Sequence, residues 1–393
     1  PQSAAERKFD IDELMAIDPE RALSGATPEI ARLLEAAIDH REISVAEAID
    51  LQAARGPDLL ALIRTADRLR REAVGDEVTY VVNRNINFTN ICFVGCKFCA
   101  FKRESEKAAD AYFHSFDRLL EKANEAKRRG ATEICLQGGL DPKMEGFFYR
   151  DLLLLLKGAN PDIHLHAYSP MEVAYGKRKT RLSTADFLLM LRDAGLDSLP
   201  GTAAEILNDE VRDILSPRKL PVREWVENIS TAHRLGIRST CTMMYGHVEK
   251  PHHVAEHLAL LREIQKETGG FTEFVSLSFI PWNTLLFQGG LVTDRPTDQD
   301  EMRMTAISRL MLNGFIPNIQ VSWVKLGPRL ASECLLAGGN DFGGTLMEEN
   351  ISTQAGATAG QNLDTEEIQR WIRRVGRVPV ERTTLYGRVR PIH

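Results

Sequence analysis

Long apolar runs and blocks of like charge are both missing from this 393-residue sequence. No apolar run approaches the roughly 20 residues that span a bilayer, and the segment from Pro1 to Asp10 lacks the apolar stretch of a signal peptide. The 49 basic and 55 acidic residues give a net charge of −6, without the basic block that would attract nucleic acids or membrane surfaces. These absences favour a cytoplasmic protein that acts on small molecules and has no nucleic-acid or membrane partner.

Cysteine is also scarce, and six residues in a chain of this length exclude a disulfide-stabilised scaffold. Three of them lie within eight residues of one another, which in a reducing compartment indicates a metal site. The other three are scattered in apolar segments and are predicted to be ordinary buried thiols: Cys135, Cys241 and Cys334.

The first part of the chain has apolar residues at helical spacing, from about residue 11 to residue 75. Ile30, Leu33 and Leu34 illustrate this pattern. Ser44, followed three residues later by Glu47, predicts a capping box at the start of one helix. We expect a helical N-terminal extension over residues 1–77.

From residue 78 the pattern changes to short β-branched runs separated by amphipathic segments of helical length. The predicted strands cover residues 79–82, 133–137, 163–167, 198–199, 239–244, 273–279, 319–324 and 341–345. Helices are predicted between most of them, at 116–129, 184–194, 222–235, 254–268 and 298–313.

This alternation of strands and helices implies an α/β fold with parallel strands joined by helical crossovers. Eight such units over residues 78–350 match the typical length of about 250 residues of a (β/α)8 barrel of the TIM type. A doubly wound open sheet is the alternative, but no G-x-G-x-x-G motif opens a helix after the first strand. Residues 351–393 are expected to form a C-terminal tail that packs on the barrel.

The clustered cysteines, Cys92, Cys96 and Cys99, have the spacing Cys-x3-Cys-x2-Cys just beyond the first predicted strand. Three thiolates on one loop can ligate three irons of a [4Fe-4S] cluster and leave the fourth iron open. An open iron can chelate S-adenosylmethionine (SAM), whose reductive cleavage releases a 5′-deoxyadenosyl radical. Structural zinc and inert thiols are the alternatives, but zinc needs four ligands and no fourth Cys or His lies nearby in the sequence. Gly95 gives the loop freedom to wrap a cluster, and Phe98 is predicted either to cover the cluster and adenine or simply to pack the loop.

Polar and aromatic residues recur at the ends of the predicted strands, as a ligand pocket at the mouth of a barrel requires. Gln137, Gly138 and Gly139 end the second strand and are predicted to contact SAM, with a plain turn as the alternative. Glu205, after the fourth strand, is predicted either to bind ribose hydroxyls or to cap a helix.

The remaining candidates are predicted to meet the substrate or take part in the chemistry, although a lone His is more often a packing residue. His164 and His166 share one face of a predicted strand with Tyr168. The candidate catalytic residues are Tyr168 and His247. The candidate substrate contacts are His164, His166, Tyr245, Trp282, Asn283 and Gln320.

The blocks around these positions resemble the radical SAM family and, within it, the tyrosine-using subunits of 7,8-didemethyl-8-hydroxy-5-deazariboflavin synthase. The resemblance covers roughly residues 45 to 390. It rests on residues 83–90 running into the cysteine loop and on the segments 137–139, 169–172, 200–207, 243–249, 268–274 and 343–349.

The resemblance implies a transferase reaction. In it the deoxyadenosyl radical removes a hydrogen from L-tyrosine, the Cα–Cβ bond breaks, and the 4-hydroxybenzyl fragment adds to 5-amino-6-(D-ribitylamino)uracil. It also implies a reducing electron donor and a second radical SAM subunit that closes the deazaflavin ring.

One segment departs from the family's pattern. Residues 276–284 read Ser-Leu-Ser-Phe-Ile-Pro-Trp-Asn-Thr, where the family carries a His-containing motif after a Pro-Leu-Pro-Phe type run. The alternatives are therefore a futalosine enzyme of menaquinone synthesis or a paralogue with another acceptor, although the turn 201–205 favours the deazaflavin side. A cluster-bearing redox scaffold without SAM turnover is the alternative from another class, and the polar strand ends argue against it.

Overall fold

The computed structural model describes residues 11–389, and the predicted absence of a signal peptide at the N-terminus lies outside that range. Ser44 and Glu47 form the predicted capping box, in which the Glu47 amide donates to Ser44 Oγ at 3.3 Å and the Ser44 amide donates to Glu47 Oε2 at 2.9 Å. Between residue 11 and the first strand the described chain forms five helices: α1 (Ile11–Ala16), α2 (Pro19–Ser24), α3 (Pro28–Ile38), α4 (Val45–Gln52) and α5 (Gly56–Val74).

Parallel strands form the centre of the molecule. Their order in the sheet is β10-β1-β9-β8-β7-β6-β5-β4-β3-β2. Within residues 11–389 there are ten: β1 (Glu77–Val81), β2 (Asn83–Asn87), β3 (Glu133–Gln137), β4 (His164–Ala167), β5 (Ser198–Leu199), β6 (Arg238–Tyr245), β7 (Phe271–Ser278), β8 (Ile319–Val321), β9 (Asp341–Gly344) and β10 (Val378–Glu381).

The strands β1 and β2 are two halves of one extended segment interrupted at Val82. The first half pairs with β9 and the second half pairs with β3. Asn83 stabilises the junction, because its backbone amide donates to Thr345 Oγ1 at 3.0 Å and its side-chain amide donates to Glu133 Oε1 at 2.9 Å. The segment thus joins the two ends of the curled sheet, and the predicted α/β fold of the (β/α)8 type is confirmed.

Helices surround the barrel. The N-terminal helices belong to this outer layer because α5 packs on α14 (Asp298–Leu312) and α4 packs on α12 (Pro251–Thr268). A 3-10 helix follows α16 at Leu335–Ala337. The helices after β2 are α6 (Phe116–Arg128), α7 (Phe148–Ala159), α8 (Pro170–Thr180), α9 (Thr184–Asp193), α10 (Asp209–Leu215), α11 (Val222–Arg234), α12 (Pro251–Thr268), α13 (Leu285–Gln288), α14 (Asp298–Leu312), α15 (Trp323–Leu326), α16 (Pro328–Cys334), α17 (Ile351–Ala355) and α18 (Thr365–Arg374). None of the helices within residues 11–389 combines the length and apolar character needed to cross a bilayer.

Three strand predictions differ from the structure. The predicted strand at 319–324 ends at Val321, because Trp323 starts a helix and its indole donates to the carbonyl of Gly344 at 2.9 Å. The strands β2 and β10 were not predicted. Three of the five residues of β2 are asparagines, which are uncommon in strands. The strand β10 belongs to the predicted C-terminal tail and pairs with β1.

Charged side chains fill the amino-terminal end of the barrel. Arg382, just after β10, donates to Asp341 at 2.5 Å and to Glu273 at 3.2 Å. Burial raises the pKa of Glu273 to about 7. This network lies at the end opposite to the carboxyl ends of the strands, where barrels of this type carry their active sites.

Candidate active site

A cavity of about 420 Å³ lies at the carboxyl ends of the strands. Strand alternation decides which side chains reach it. On β6, Thr242 and Met244 line the cavity, whereas Met243 between them is buried on the other face. Ile351 and Ala355 of α17 also line it, so the C-terminal region contributes to its wall.

All three clustered cysteines line this cavity. The loop that carries them follows β2 and is tied down by backbone hydrogen bonds, from the Cys92 amide to the Arg103 carbonyl at 2.8 Å and from the Cys99 amide to the Cys96 carbonyl at 3.3 Å. Gly95 has a φ of +74°, in the left-handed region that favours glycine. These hydrogen bonds and the turn at Gly95 shape the loop so that its three thiols face the same cavity.

The donor set fits a three-thiolate [4Fe-4S] cluster. The three cysteines are free thiols, and in the described part of the chain no other Cys and no His lines the cavity. A structural zinc site needs four ligands, and this cavity offers three thiols and no imidazole among residues 11–389. Burial raises the pKa of the Cys96 thiol to about 12, and coordination of iron would replace its proton.

The predicted SAM-contacting segment Gln137 to Gly139 lies against the cysteine loop. The Gly139 amide donates to the Thr89 carbonyl at 2.8 Å, and a Cβ at this position would lie 2.2 Å from the Ile91 carbonyl oxygen. Gln137 accepts a hydrogen bond from Thr202 Oγ1 at 2.8 Å. Glycine is thus required at 139 by the close approach of the residue that precedes the first cysteine.

Glu205 and Phe98, both predicted cofactor contacts, lie on the same wall of the cavity. The Lys219 ammonium donates to Glu205 Oε1 at 2.6 Å and lies 5.2 Å from the centre of the Phe98 ring. Glu205 has a φ of +44°, and its carbonyl accepts from the Met244 amide at 2.9 Å. Lys219 therefore holds the carboxylate of Glu205, and the edge of β6 holds its backbone, beside the cysteine loop.

Among the candidate substrate and catalytic residues, the structure brings Gln320 into the cavity. His164 and His166 do not line it. His164 Nε2 and His166 Nδ1 each lie 2.7 Å from Ser198 Oγ, deeper in the barrel, and burial lowers the pKa of His166 to about 4. Their placement does not support direct substrate contact.

The two tyrosines selected from the sequence also lie outside the cavity. The hydroxyl of Tyr168 donates to the carbonyl of Tyr149 at 2.8 Å within an aromatic cluster. The hydroxyl of Tyr245 donates to the buried carboxylate of Glu301 behind the sheet. These placements support neither the predicted catalytic role of Tyr168 nor the predicted substrate contact of Tyr245.

His247, Trp282 and Asn283 are the remaining candidates that the cavity does not include. His247 Nε2 bonds to the Met244 carbonyl at 2.8 Å, and the Asn283 side chain donates to the Gln354 carbonyl at 2.9 Å. Trp282 is 40% exposed. Loop geometry turns these three side chains away, and sequence position alone could not show this.

Several polar cavity residues were missed by the sequence analysis. Alternation along β2 could have identified its two asparagines, had the segment been recognised as a strand. No sequence signal distinguishes the others from ordinary surface or capping residues. The missed residues with an amide or charged side chain are Asn85, Asn87, Lys102, Glu172, Lys219, Lys325 and Glu349.

The barrel, the three-cysteine loop and the adjoining cavity together define a radical SAM enzyme, and residues 86–261 match the radical SAM superfamily. Its cofactors are a [4Fe-4S] cluster and SAM. Residues 268–392 match the CofH/MqnC C-terminal region.

The relatives define the family more narrowly. A 5-amino-6-(D-ribitylamino)uracil:L-tyrosine 4-hydroxyphenyl transferase of Methanothermobacter thermautotrophicus is 50% identical over 361 residues, which cover 92% of this chain and 98% of that protein. The FO synthase of Streptomyces coelicolor is 48% identical over 98% of this chain, which spans 45% of that longer protein. The chain belongs to the family of these 4-hydroxyphenyl transferases.

Solved structures support the fold. Methylornithine synthase PylB superposes with a TM-score of 0.70 at 18% identity, covering 88% of this chain and 97% of that one. The hydrogenase maturase HydG of Carboxydothermus hydrogenoformans gives a TM-score of 0.72 at 17% identity, covering 96% and 87%. At this identity the likeness concerns the architecture alone.

Proposed function

We propose that this chain cleaves the Cα–Cβ bond of L-tyrosine and joins the 4-hydroxybenzyl fragment to 5-amino-6-(D-ribitylamino)uracil, in the synthesis of a deazaflavin. The observation that carries the proposal is 50% identity to a transferase of that name along 98% of its length. When bound, the cluster and SAM supply the radical that starts the reaction.

The cavity wall contributed by β7 and the following loop is apolar. Val275, Leu277, Phe279 and Ile280 line it with apolar groups. Such a wall protects a radical from side reactions with solvent. Three of these four residues belong to segment 276–284, which differs from the family's pattern. This segment therefore acts on the substrates through the shape and apolar character of the wall.

Polar groups in the barrel interior can orient the acceptor. Asn85 and Asn87 of β2 and Gln320 of β8 line the cavity with amide groups. An amide both donates and accepts hydrogen bonds, which matches the ribityl hydroxyls and the ring edges of a uracil. These three residues are our candidates for holding the second substrate.

The proposed function requires a second enzyme and an electron donor. We propose that the product passes to a second radical SAM unit, because the FO synthases that this chain resembles are more than twice as long as the part it matches. A cytoplasmic location, with a reducing electron donor, would keep the three thiols available for iron.

Anaerobic reconstitution with iron and sulfide, followed by incubation with SAM, dithionite, L-tyrosine and 5-amino-6-(D-ribitylamino)uracil, tests the proposal. We expect 5′-deoxyadenosine together with a product that has the mass of the hydroxybenzyl adduct. Deoxyadenosine without an adduct would contradict the transferase assignment, and futalosine derivatives would be tested next. Absence of deoxyadenosine would instead indicate a cluster-bearing scaffold.

A further inference from the structure

Charged side chains in the cavity are few, and nearly all are already paired. Within the described residues the lining holds three lysines and three glutamates. They are Lys102, Lys219, Lys325, Glu172, Glu205 and Glu349. A charged group that has no protein partner can bind a ligand, so we compare the partners of the six groups.

Two of the lysines have carboxylate partners. The ammonium of Lys102 lies 2.9 Å from Glu104, and that of Lys219 lies 2.6 Å from Glu205. Among residues 11–389 the ammonium of Lys325 makes no hydrogen bond or salt bridge, and its electrostatic neighbours are Glu349, the Cys99 thiol and Arg295. Of the three lysines it is the one without a hydrogen-bonded carboxylate, which leaves its N–H groups available to an anion.

The short helix α15 holds Lys325 in place. The indole of Trp323, two residues earlier, donates to the Gly344 carbonyl at 2.9 Å, and Arg295 donates to the Lys325 carbonyl at 3.1 Å. The backbone of Lys325 is thus fixed from both sides. The fixed backbone places Lys325 at the cavity wall, whereas its side-chain torsions remain to be ordered when the ammonium binds a ligand.

Lys325 comes from a different part of the barrel than the predicted SAM contacts, and it is close enough to the cysteine loop to interact electrostatically with Cys99. It follows β8, whereas Gln137 to Gly139 end β3 and Glu205 follows β5. Glu349 follows β9, the strand that pairs with β8, and also lines the cavity. A cation and a carboxylate from adjacent strands match the carboxylate and ammonium of a zwitterionic amino acid.

We propose that Lys325 binds the α-carboxylate of the amino-acid substrate, L-tyrosine, in the part of the cavity formed by β8 and β9. This inference rests on the proposed function. The uracil acceptor carries hydroxyls and amides but no carboxylate, so it offers Lys325 no such partner. The amino-acid substrate is therefore selected by the charge of its carboxylate, which is attached to the Cα of the bond that breaks.

Three variants of the reconstituted holoenzyme test the proposal: Lys325→Met, Lys325→Arg and, as a matched control, Lys127→Met, whose side chain is 44% exposed on the surface. Equilibrium dialysis would give dissociation constants for L-tyrosine and for tyramine, which lacks the carboxylate. KM for SAM and the iron content are measured in parallel.

We expect Lys325→Met to weaken tyrosine binding on the order of 10- to 100-fold, the effect of losing a hydrogen bond to a charged group. Tyramine binding, KM for SAM and iron content should stay within about twofold of wild type, and Lys325→Arg should recover part of the tyrosine affinity. Unchanged tyrosine binding, an equal loss for tyramine, or an increase confined to KM for SAM would overturn the inference. If the wild type forms the adduct, such a failure leaves the proposed function intact, whereas a wild type that binds no tyrosine overturns both.

Discussion

The ammonium of Lys219 and the carboxylate of Glu205 lie 2.6 Å apart, with only 10% and 8% of their side chains exposed. Arg212 approaches the same carboxylate at 3.4 Å. A carboxylate buried between two cations is held in one orientation, and here it forms the cavity wall beside Phe98.

Removing the Lys219 ammonium should therefore destabilise the protein. Since Arg212 remains, we expect Lys219→Met to lower the free energy of unfolding by about 3 kcal/mol, the lower end for breaking a buried pair. The double variant Lys219→Met/Glu205→Gln removes both charges and should recover at least half of this loss. Denaturant titration of both variants measures the difference, and equal stability of the two would contradict the pairing.

Replacement of the clustered cysteines should remove the cluster selectively. Cys92→Ala, Cys96→Ala and Cys99→Ala should each lose most of the bound iron and all formation of 5′-deoxyadenosine. Cys334→Ala, at a buried thiol outside the cavity, should retain both. Iron content and visible absorbance after anaerobic reconstitution provide the measurement, and full iron binding by Cys96→Ala would refute the assignment.

A side chain at Gly139 should disturb the cysteine loop. Its Cβ would lie 2.2 Å from the Ile91 carbonyl, so the backbone next to Cys92 must shift. We expect Gly139→Ala to cost about 1 to 3 kcal/mol and to lower iron content. Gly158→Ala, where a helical Cβ meets nothing within 4 Å, should be neutral or slightly stabilising. Normal iron content in Gly139→Ala would show that the loop tolerates the shift.

The placement of Tyr168 also leads to a testable expectation. Its hydroxyl bonds to a backbone carbonyl outside the cavity, so Tyr168→Phe should lose about 1 kcal/mol of stability and keep kcat within about twofold. Gln320→Leu, which removes an amide from the cavity, should lower kcat/KM for the uracil at least tenfold. Steady-state kinetics of the two variants measures both effects. A large loss of kcat in Tyr168→Phe would show that Tyr168 takes part in the reaction.

The stability of the protein should depend on pH through Glu301. Burial raises the pKa of this carboxyl from 4.5 to about 7. The folded protein therefore keeps a proton that the unfolded chain releases, so the contribution of this group is full below pH 4.5 and is lost as the pH rises to 7. The free energy of unfolding of Glu301→Gln, relative to that of the wild type, should therefore rise by about 3 kcal/mol when the pH is raised from 4.5 to 8. Denaturant midpoints at both pH values test this, and a constant difference would contradict it.

Local patterns were sufficient for several features. The capping box at Ser44 and the cysteine spacing depend on neighbours within a few residues, so the sequence alone predicted them. Most barrel strands were also predicted, because runs of β-branched residues between amphipathic helices are typical of parallel sheets. Three asparagines in β2 concealed a strand that only pairing with β3 stabilises.

The direction of each side chain was decided by tertiary structure. Tyr168 and Gln320 were selected by the same argument, as polar residues at strand ends, yet one faces an aromatic cluster and the other faces the cavity. Lys325 shows the converse, since nothing in its sequence distinguishes it from a surface lysine. The sequence by itself determined the barrel and the cluster loop, because these follow from local spacing. Only the curled sheet decided which side chains share the cavity, because that depends on contacts between residues far apart in the chain.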